Sequence, residues 1–217
     1  MENITFNFTQ LHRHDSAFFD FLKLRKTFFV DNLGWDIPHD DDFEMDQYDN
    51  PKAFYSLVLR NGEVIGGARA MATTAQWGTH SYMLRDAVKG KLIDIPPSVL
   101  GRDITEDKMW ECTRLVMSDD VNTHADRSEC LGLIVQGLVN VAADHGADQL
   151  MSLSPLALMR ALRQLGFGAE RIGEPYLNKG DGRRYAVLSM PTERTMPQMP
   201  RATHRPQPQP LHAPQVA

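Results

Sequence analysis

Apolar residues recur at helical spacing over residues 17–33, where Phe18, Phe21, Leu22, Phe28 and Phe29 share one face. Asp15 and Ser16 precede this run as suitable N-caps, so the spacing predicts a first helix there. Arg25 lies on the same greasy face, where a charge is costly unless an anionic group meets it. Two strand-like runs, 53–60 and 63–71, flank Asn61-Gly62, the strongest short hairpin signal. Residues 108–117 read as another strand, in which Trp110, Cys112 and Arg114 alternate with Glu111, Thr113 and Leu115. A second helix is predicted over 128–145, carrying Leu131, Ile134, Val135, Leu138, Val139 and Ala142 and stopping at Gly146. Residues 149–153 form a short strand, Pro155 suits the first turn of a third helix ending near Gly166, and 183–190 supply a last strand. Between these elements, 36–50 is an intensely acidic loop, and 74–107 is mixed, with Pro96-Pro97 breaking any long element.

Helix, hairpin, strand, helix, strand, helix, strand is an α/β order, with one mixed sheet and helices on its faces. There are no internal repeats. From Pro191 onward the chain is rich in Pro, Gln and His, which divides it into a single domain, 1–190, and a disordered tail, 191–217. With 42% hydrophobic and 24% charged residues, a real core is feasible and global disorder is excluded. Twenty-three Lys plus Arg against 28 Asp plus Glu leave a net charge of −5, which argues against a nucleic-acid partner. The two cysteines, Cys112 and Cys130, build no disulfide framework. No signal-peptide pattern opens the chain and no apolar run approaches the ~20 residues that span a bilayer. A cytoplasmic protein without membrane insertion is expected.

The common phosphate-loop, dinucleotide, zinc-protease and serine-elbow signatures are missing. Asp40, Asp42 and Glu44 alternate as calcium-loop ligands do, but Met45 stands where the loop needs glycine, and the eight histidines are scattered, so no metal is expected. What remains is a set of charges in awkward places. Arg69 is inside a strand beside Gly66-Gly67; Glu111 and Arg114 are in a strand suited to burial; Asp46 and Asp49 sit near Trp35 and Tyr48. Two readings stand side by side: an ion-pair network that pins the acidic loop to the sheet, or a polar cleft for a zwitterionic or cationic small molecule.

The ordered set Arg25-x-x-x-Phe29, Trp35, Glu44-x-Asp46-x-x-Asp49, Gly66-x-x-Arg69, Tyr82-Met83-Leu84 and Trp110-Glu111-x-x-Arg114 strongly resembles the acyl-homoserine-lactone synthases, the autoinducer synthases of quorum sensing. Weaker similarity continues through Leu165-Gly166-Phe167 and Gly173-Glu174-Pro175. The resemblance implies an N-acetyltransferase-like fold and a two-part acyltransferase reaction. The amine of S-adenosylmethionine (SAM) takes a fatty acyl group from a thioester on acyl carrier protein or coenzyme A. Its carboxylate then displaces methylthioadenosine (MTA) to close the lactone. Both reactants are substrates, and no cofactor is implied.

On that footing Glu111, Arg69, Asp46 and Asp49 are assigned to the catalytic machinery. Glu111 is the candidate base, since a buried strand carboxylate has a raised pKa. Arg25, Phe29, Trp35, Thr113 and Arg114 are assigned to substrate binding: arginines for a carboxylate, aromatic faces for sulfonium or adenine. Met83, Val88, Met117 and Ser154 are expected around the acyl chain; Met151, Leu153 and Met159 either join them or are plain core. For docking an acidic carrier, Arg160 and Arg163, with Arg171, Lys179, Arg183 and Arg184, offer either a basic surface or an ordinary solvated face. The rivals are an acetyl-CoA-dependent N-acetyltransferase and a non-catalytic SAM sensor. Against the first, Cys130 replaces the middle glycine of a pyrophosphate loop in Arg127-Ser128-Glu129-Cys130-Leu131-Gly132.

Overall fold

A computed structural model describes residues 1–194. The expected tail lies outside the described residues from 195 onward; of its first part, Pro191 ends the last strand and Thr192 is buried. Among the described residues no helix is long and apolar enough to cross a membrane.

The chain opens with a strand, β1 (Glu2–Asn7), that pairs antiparallel with β2 (Phe54–Arg60). This strand is additional to the predicted elements; Ile4 and Phe6 alternate there with Asn3, Thr5 and Asn7. The first helix, α1 (Ala17–Arg25), continues as a π-helical turn over Lys26–Asn32, which together cover the predicted span. Ser16 occupies the N-cap position without capping the backbone; its hydroxyl bonds Asp20 instead. β2 and β3 (Glu63–Ala72) form the predicted hairpin, with Asn61 and Gly62 both at positive φ as the tight primed turn requires.

After the short helix α2 (Met83–Val88) come β4 (Met109–Met117), α3 (His124–Asp144) and β5 (Gln149–Pro155), a right-length crossover joining two parallel strands. α3 starts four residues earlier than predicted because Thr123 caps it, accepting the Asp126 N–H. α4 (Leu156–Gln164), the two-residue strands β6 (Glu170–Arg171) and β7 (Tyr176–Leu177), and β8 (Arg184–Pro191) complete the chain. The sheet runs β1-β2-β3-β4-β5-β8-β6, with β7 also on β8, and only β4 and β5 are parallel.

Two cores follow from strand alternation. One face packs Tyr55, Leu57, Met71, Val116, Met151 and Val187 against Phe21 and Leu22 of α1. The other packs Val58, Ile65, Ala68, Trp110 and Leu150 against Ile134 and Leu138 of α3. Gly67 lets α1 approach the sheet: a Cβ there would run into the Leu57 and Phe21 side chains. Gly67→Ala is therefore expected to cost about 1–3 kcal/mol of stability, read by urea denaturation.

The sheet parts at one place. β4 and β5 are paired only through Met109–Glu111 and Gln149–Met151, yet β4 stays bonded to β3 as far as Met117, and β5 to β8 as far as Pro155. Beyond Glu111 and Met151 the two strands diverge, and the gap between them opens a cleft of about 1440 Å³.

Candidate active site

The cleft walls are set by local folding. A bulge in β4 leaves Arg114 at positive φ, between Thr113, which faces Arg69, and Val116, which faces Gly67. Simple alternation would have put Arg114 on the opposite face from Glu111. The inserted residue corrects that reading: Arg114 turns to the α1 side, where it meets Glu44 and Asp46 and lies over the Phe29 ring at 5.4 Å. A non-glycine residue in this conformation costs about 1–3 kcal/mol, which surrounding contacts must outweigh.

The acidic loop is folded onto this face by its own turns. Asp46 Oδ1 accepts the Tyr48 N–H, and Asp49 Oδ2 accepts the Asp46 N–H. This presents Glu44, Asp46 and Asp49 to three guanidinium groups. Arg25 donates to Glu44 at 2.6 Å and, with two parallel bonds of 2.9 Å, to Asp49. Arg69 donates to both oxygens of Asp46 at 2.5 and 3.1 Å, to Asp49 at 2.9 Å and to the Thr113 hydroxyl at 3.1 Å. Arg114 bridges Glu44 and Asp46 at 2.9–3.2 Å. Tyr55 Oη adds a bond to Asp49.

All six charged residues are at most about a tenth exposed, and the charges balance three against three. Burial alone would raise the pKa of Asp46 and Asp49, but the guanidinium groups outweigh it and hold both below the usual carboxylate range. Burial likewise works against the charge on Arg25 and Arg69, and their carboxylate partners overcome it.

Of the six, only Asp46 and Arg114 line the cleft. Arg25, expected to meet a ligand carboxylate, is instead fully enclosed, its guanidinium committed to Glu44 and Asp49. Arg69 and Asp49 lie behind Asp46 as organisers of the cluster. Phe29 and Trp35 do line the cleft, stacked at 4.9 Å with 26° between their planes, and so does Thr113. Met83, Met117, Met151, Leu153 and Ser154 line it as well. Val88 and Met159 do not; each packs against a core, Val88 because it faces the first cluster from the end of α2, Met159 because it faces the second from α4.

Glu111 is the last residue of β4 paired to β5, at the vertex where the strands part. It is 2% exposed, and its two oxygens accept the Met83 and Leu84 N–H groups at the start of α2, 2.8 Å each. Burial raises its pKa to about 7 despite these bonds and the nearby Arg69 charge. A carboxyl group so placed changes protonation near neutral pH, as an acid–base catalyst requires. Its neighbour Trp110 points the other way, into the α3 core.

Residues absent from the expected site also belong to this region. Glu44, given no substrate or catalytic role by the sequence, is fully buried and joins Arg25 to Arg114. Tyr48 lines the cleft, stands under the Arg69 guanidinium at 5.6 Å and donates to buried Asp86. His124, Arg127 and Ser128, from the first turns of α3, also line the cleft. The stretch 127–132 is thus helical throughout, not a glycine loop.

A family model described as autoinducer synthase matches residues 8–198. Among curated proteins, an acyl-homoserine-lactone synthase from Acinetobacter nosocomialis is 32% identical over 163 residues, 71% of this chain and 82% of the relative. Among solved structures, TofI in a ternary complex with an inhibitor and MTA superposes with a TM-score of 0.70 at 26% identity, covering 89% of this chain and 92% of TofI. BjaI, a CoA-dependent acyl-homoserine lactone synthase solved with SAM and isopentyl-CoA, shares the fold at a TM-score of 0.70 and 19% identity, over 88% of this chain and 82% of BjaI.

Proposed function

Because the chain belongs to the autoinducer synthase family, acyltransferases that make acyl-homoserine lactones for quorum sensing, we propose that its cleft seats SAM on the Phe29–Trp35–Asp46–Arg114 wall and admits the acyl thioester between β4 and β5. The observation that carries this reading is the place of Glu111: a buried carboxyl with a pKa of about 7, at the vertex from which both walls diverge.

The SAM amine is inert while protonated. Glu111 takes its proton through one water, since Glu111 itself is buried and is not among the residues lining the cleft. The free amine attacks the thioester carbonyl, the N–C bond forms and the C–S bond breaks; the nitrogen's second proton passes to the departing thiolate, and Glu111 returns the first to solvent. Arg114 steers the SAM carboxylate, and the aromatic faces with Asp46 favour the sulfonium. The carboxylate oxygen then attacks the carbon beside sulfur, and MTA leaves as a neutral thioether. That displacement is intramolecular, so geometry supplies most of its advantage. No further cofactor enters, and both steps draw on substrates of the cytoplasm.

The phosphopantetheine arm is common to both donors, and the α3 end of the cleft, with Arg127 and His124, is its natural entrance. Docking of a carrier protein would use exposed Arg160 and Arg163 of α4. Reversing both charges is expected to raise KM for a carrier-linked donor about 3–10-fold and leave a CoA-linked donor unaffected. Equal KM values for wild type and variant would remove α4 from docking. The reading as a whole is tested by mass spectrometry of products from the purified chain supplied with SAM and either donor. An acyl-homoserine lactone is expected; an N-acylated amine with the methylthioadenosyl group still attached would contradict it.

A further inference from the structure

One carboxylate near the cleft takes no part in the buried cluster. Asp181 sits in the turn between β7 and β8, fixed by the Arg183 N–H on Oδ1 at 3.0 Å and by Tyr185 Oη on Oδ2 at 2.6 Å. The same Oδ2 accepts the indole N–H of Trp35 at 3.0 Å, from a residue 146 positions earlier in the chain. The turn is braced from within: Asn178 accepts the Gly180 N–H through its side chain and the Gly182 N–H through its carbonyl. Asp181 is thus anchored on its own hairpin and holds Trp35 against it, where the indole also meets the Tyr185 ring edge-on at 6.0 Å. Trp35 lies flat on Phe29, and Arg114 covers the Phe29 ring in turn.

A carboxylate hydrogen-bonded to an indole N–H pushes electron density onto the ring, and a richer ring face attracts a cation more strongly. Burial opposes the charge on Asp181, but the bonds from Tyr185, the Arg183 N–H and Trp35 hold it ionised.

We propose that Asp181 is a specificity-determining residue: through the Trp35 indole N–H it positions and polarises the aromatic wall, so that the site favours a sulfonium-bearing nucleoside over its neutral thioether counterpart. This rests on Trp35 forming part of the SAM site. SAM and S-adenosylhomocysteine share adenosine, amine and carboxylate and differ in the methyl group that makes the sulfur cationic. They are therefore the probes that isolate this effect.

Asp181→Asn keeps one oxygen to accept from Trp35 and Tyr185; it loses the charge and, in place of the second oxygen, the acceptor of the Arg183 N–H. Calorimetric titration of this full-length variant is expected to show SAM binding weakened about 3–10-fold with S-adenosylhomocysteine binding unchanged, collapsing the ratio of the two affinities. In Trp35→Phe, which has no N–H, the ratio falls likewise, and adding Asp181→Asn lowers it no further. If Asp181→Asn weakens both ligands equally, the residue only braces the hairpin and the inference is overturned. An effect of Asp181→Asn that persists undiminished in the Trp35→Phe background would also overturn it, since the charge would then act without the indole. If Trp35→Phe leaves both affinities as in the wild type, it is the placement of SAM on this wall that fails, and the inference fails with it.

Discussion

Glu111→Gln is expected to lower kcat for acyl transfer by about 10²–10⁴-fold, the range a positioned general base contributes, while SAM still binds. Gln offers a single acceptor oxygen where Glu111 now accepts two N–H groups, so the start of α2 loses one of its two bonds to β4. Binding measured by titration separates loss of the base from loss of the site. The pH dependence has a definite sign. Glu111 accepts a proton only when ionised, and its pKa is raised to about 7 by burial. Wild-type kcat/KM therefore rises as pH increases through about 7 and falls as the group protonates below it. Residual activity of Glu111→Gln should lack that limb. Full turnover in the variant would remove Glu111 from the chemistry.

The second large effect is on stability. Arg25→Met removes a guanidinium that satisfies Glu44 and Asp49 in a fully buried setting. Deleting one partner of such a pair leaves carboxylate charge poorly compensated, and costs about 3–5 kcal/mol. In a domain of this size each kcal/mol moves the midpoint by roughly 2–4 °C, so thermal unfolding followed by circular dichroism should begin about 10 °C earlier. An unchanged midpoint would mean that the cluster contributes nothing to holding the acidic loop on the sheet. Arg114→Met, whose side chain borders the cleft, should show a smaller loss of stability and a larger loss of SAM affinity. The two arginines, alike in sequence as charges in apolar settings, are separated by that comparison.

How far the sequence led can be judged from particular residues. The Asn61-Gly62 hairpin and the apolar stripe of α3 were legible because each is specified by neighbours in the chain. The alternation in β4 was legible up to Thr113 and failed at Arg114, because a bulge shifts the phase without changing composition. Two-residue strands such as β6 and β7 are too short to carry any period. In the site, the odd placement of charges correctly marked Arg69, Asp46, Asp49 and Arg114 as residues in need of partners. Which partner each one finds is a tertiary matter: Arg114 meets Glu44 across 70 positions, and Trp35 meets Asp181 across 146. The two readings of those charges also prove compatible. Arg25, Arg69, Glu44 and Asp49 form the network that pins the loop, and Asp46 with Arg114 turns its outer edge to the cleft.

The central claim, that a single cleft both acylates SAM and closes the lactone, is tested most directly by following thiol and MTA release together in one reaction of the purified chain with SAM and an acyl thioester. The account predicts one equivalent of MTA for each equivalent of thiol. Sustained thiol release without MTA would contradict it.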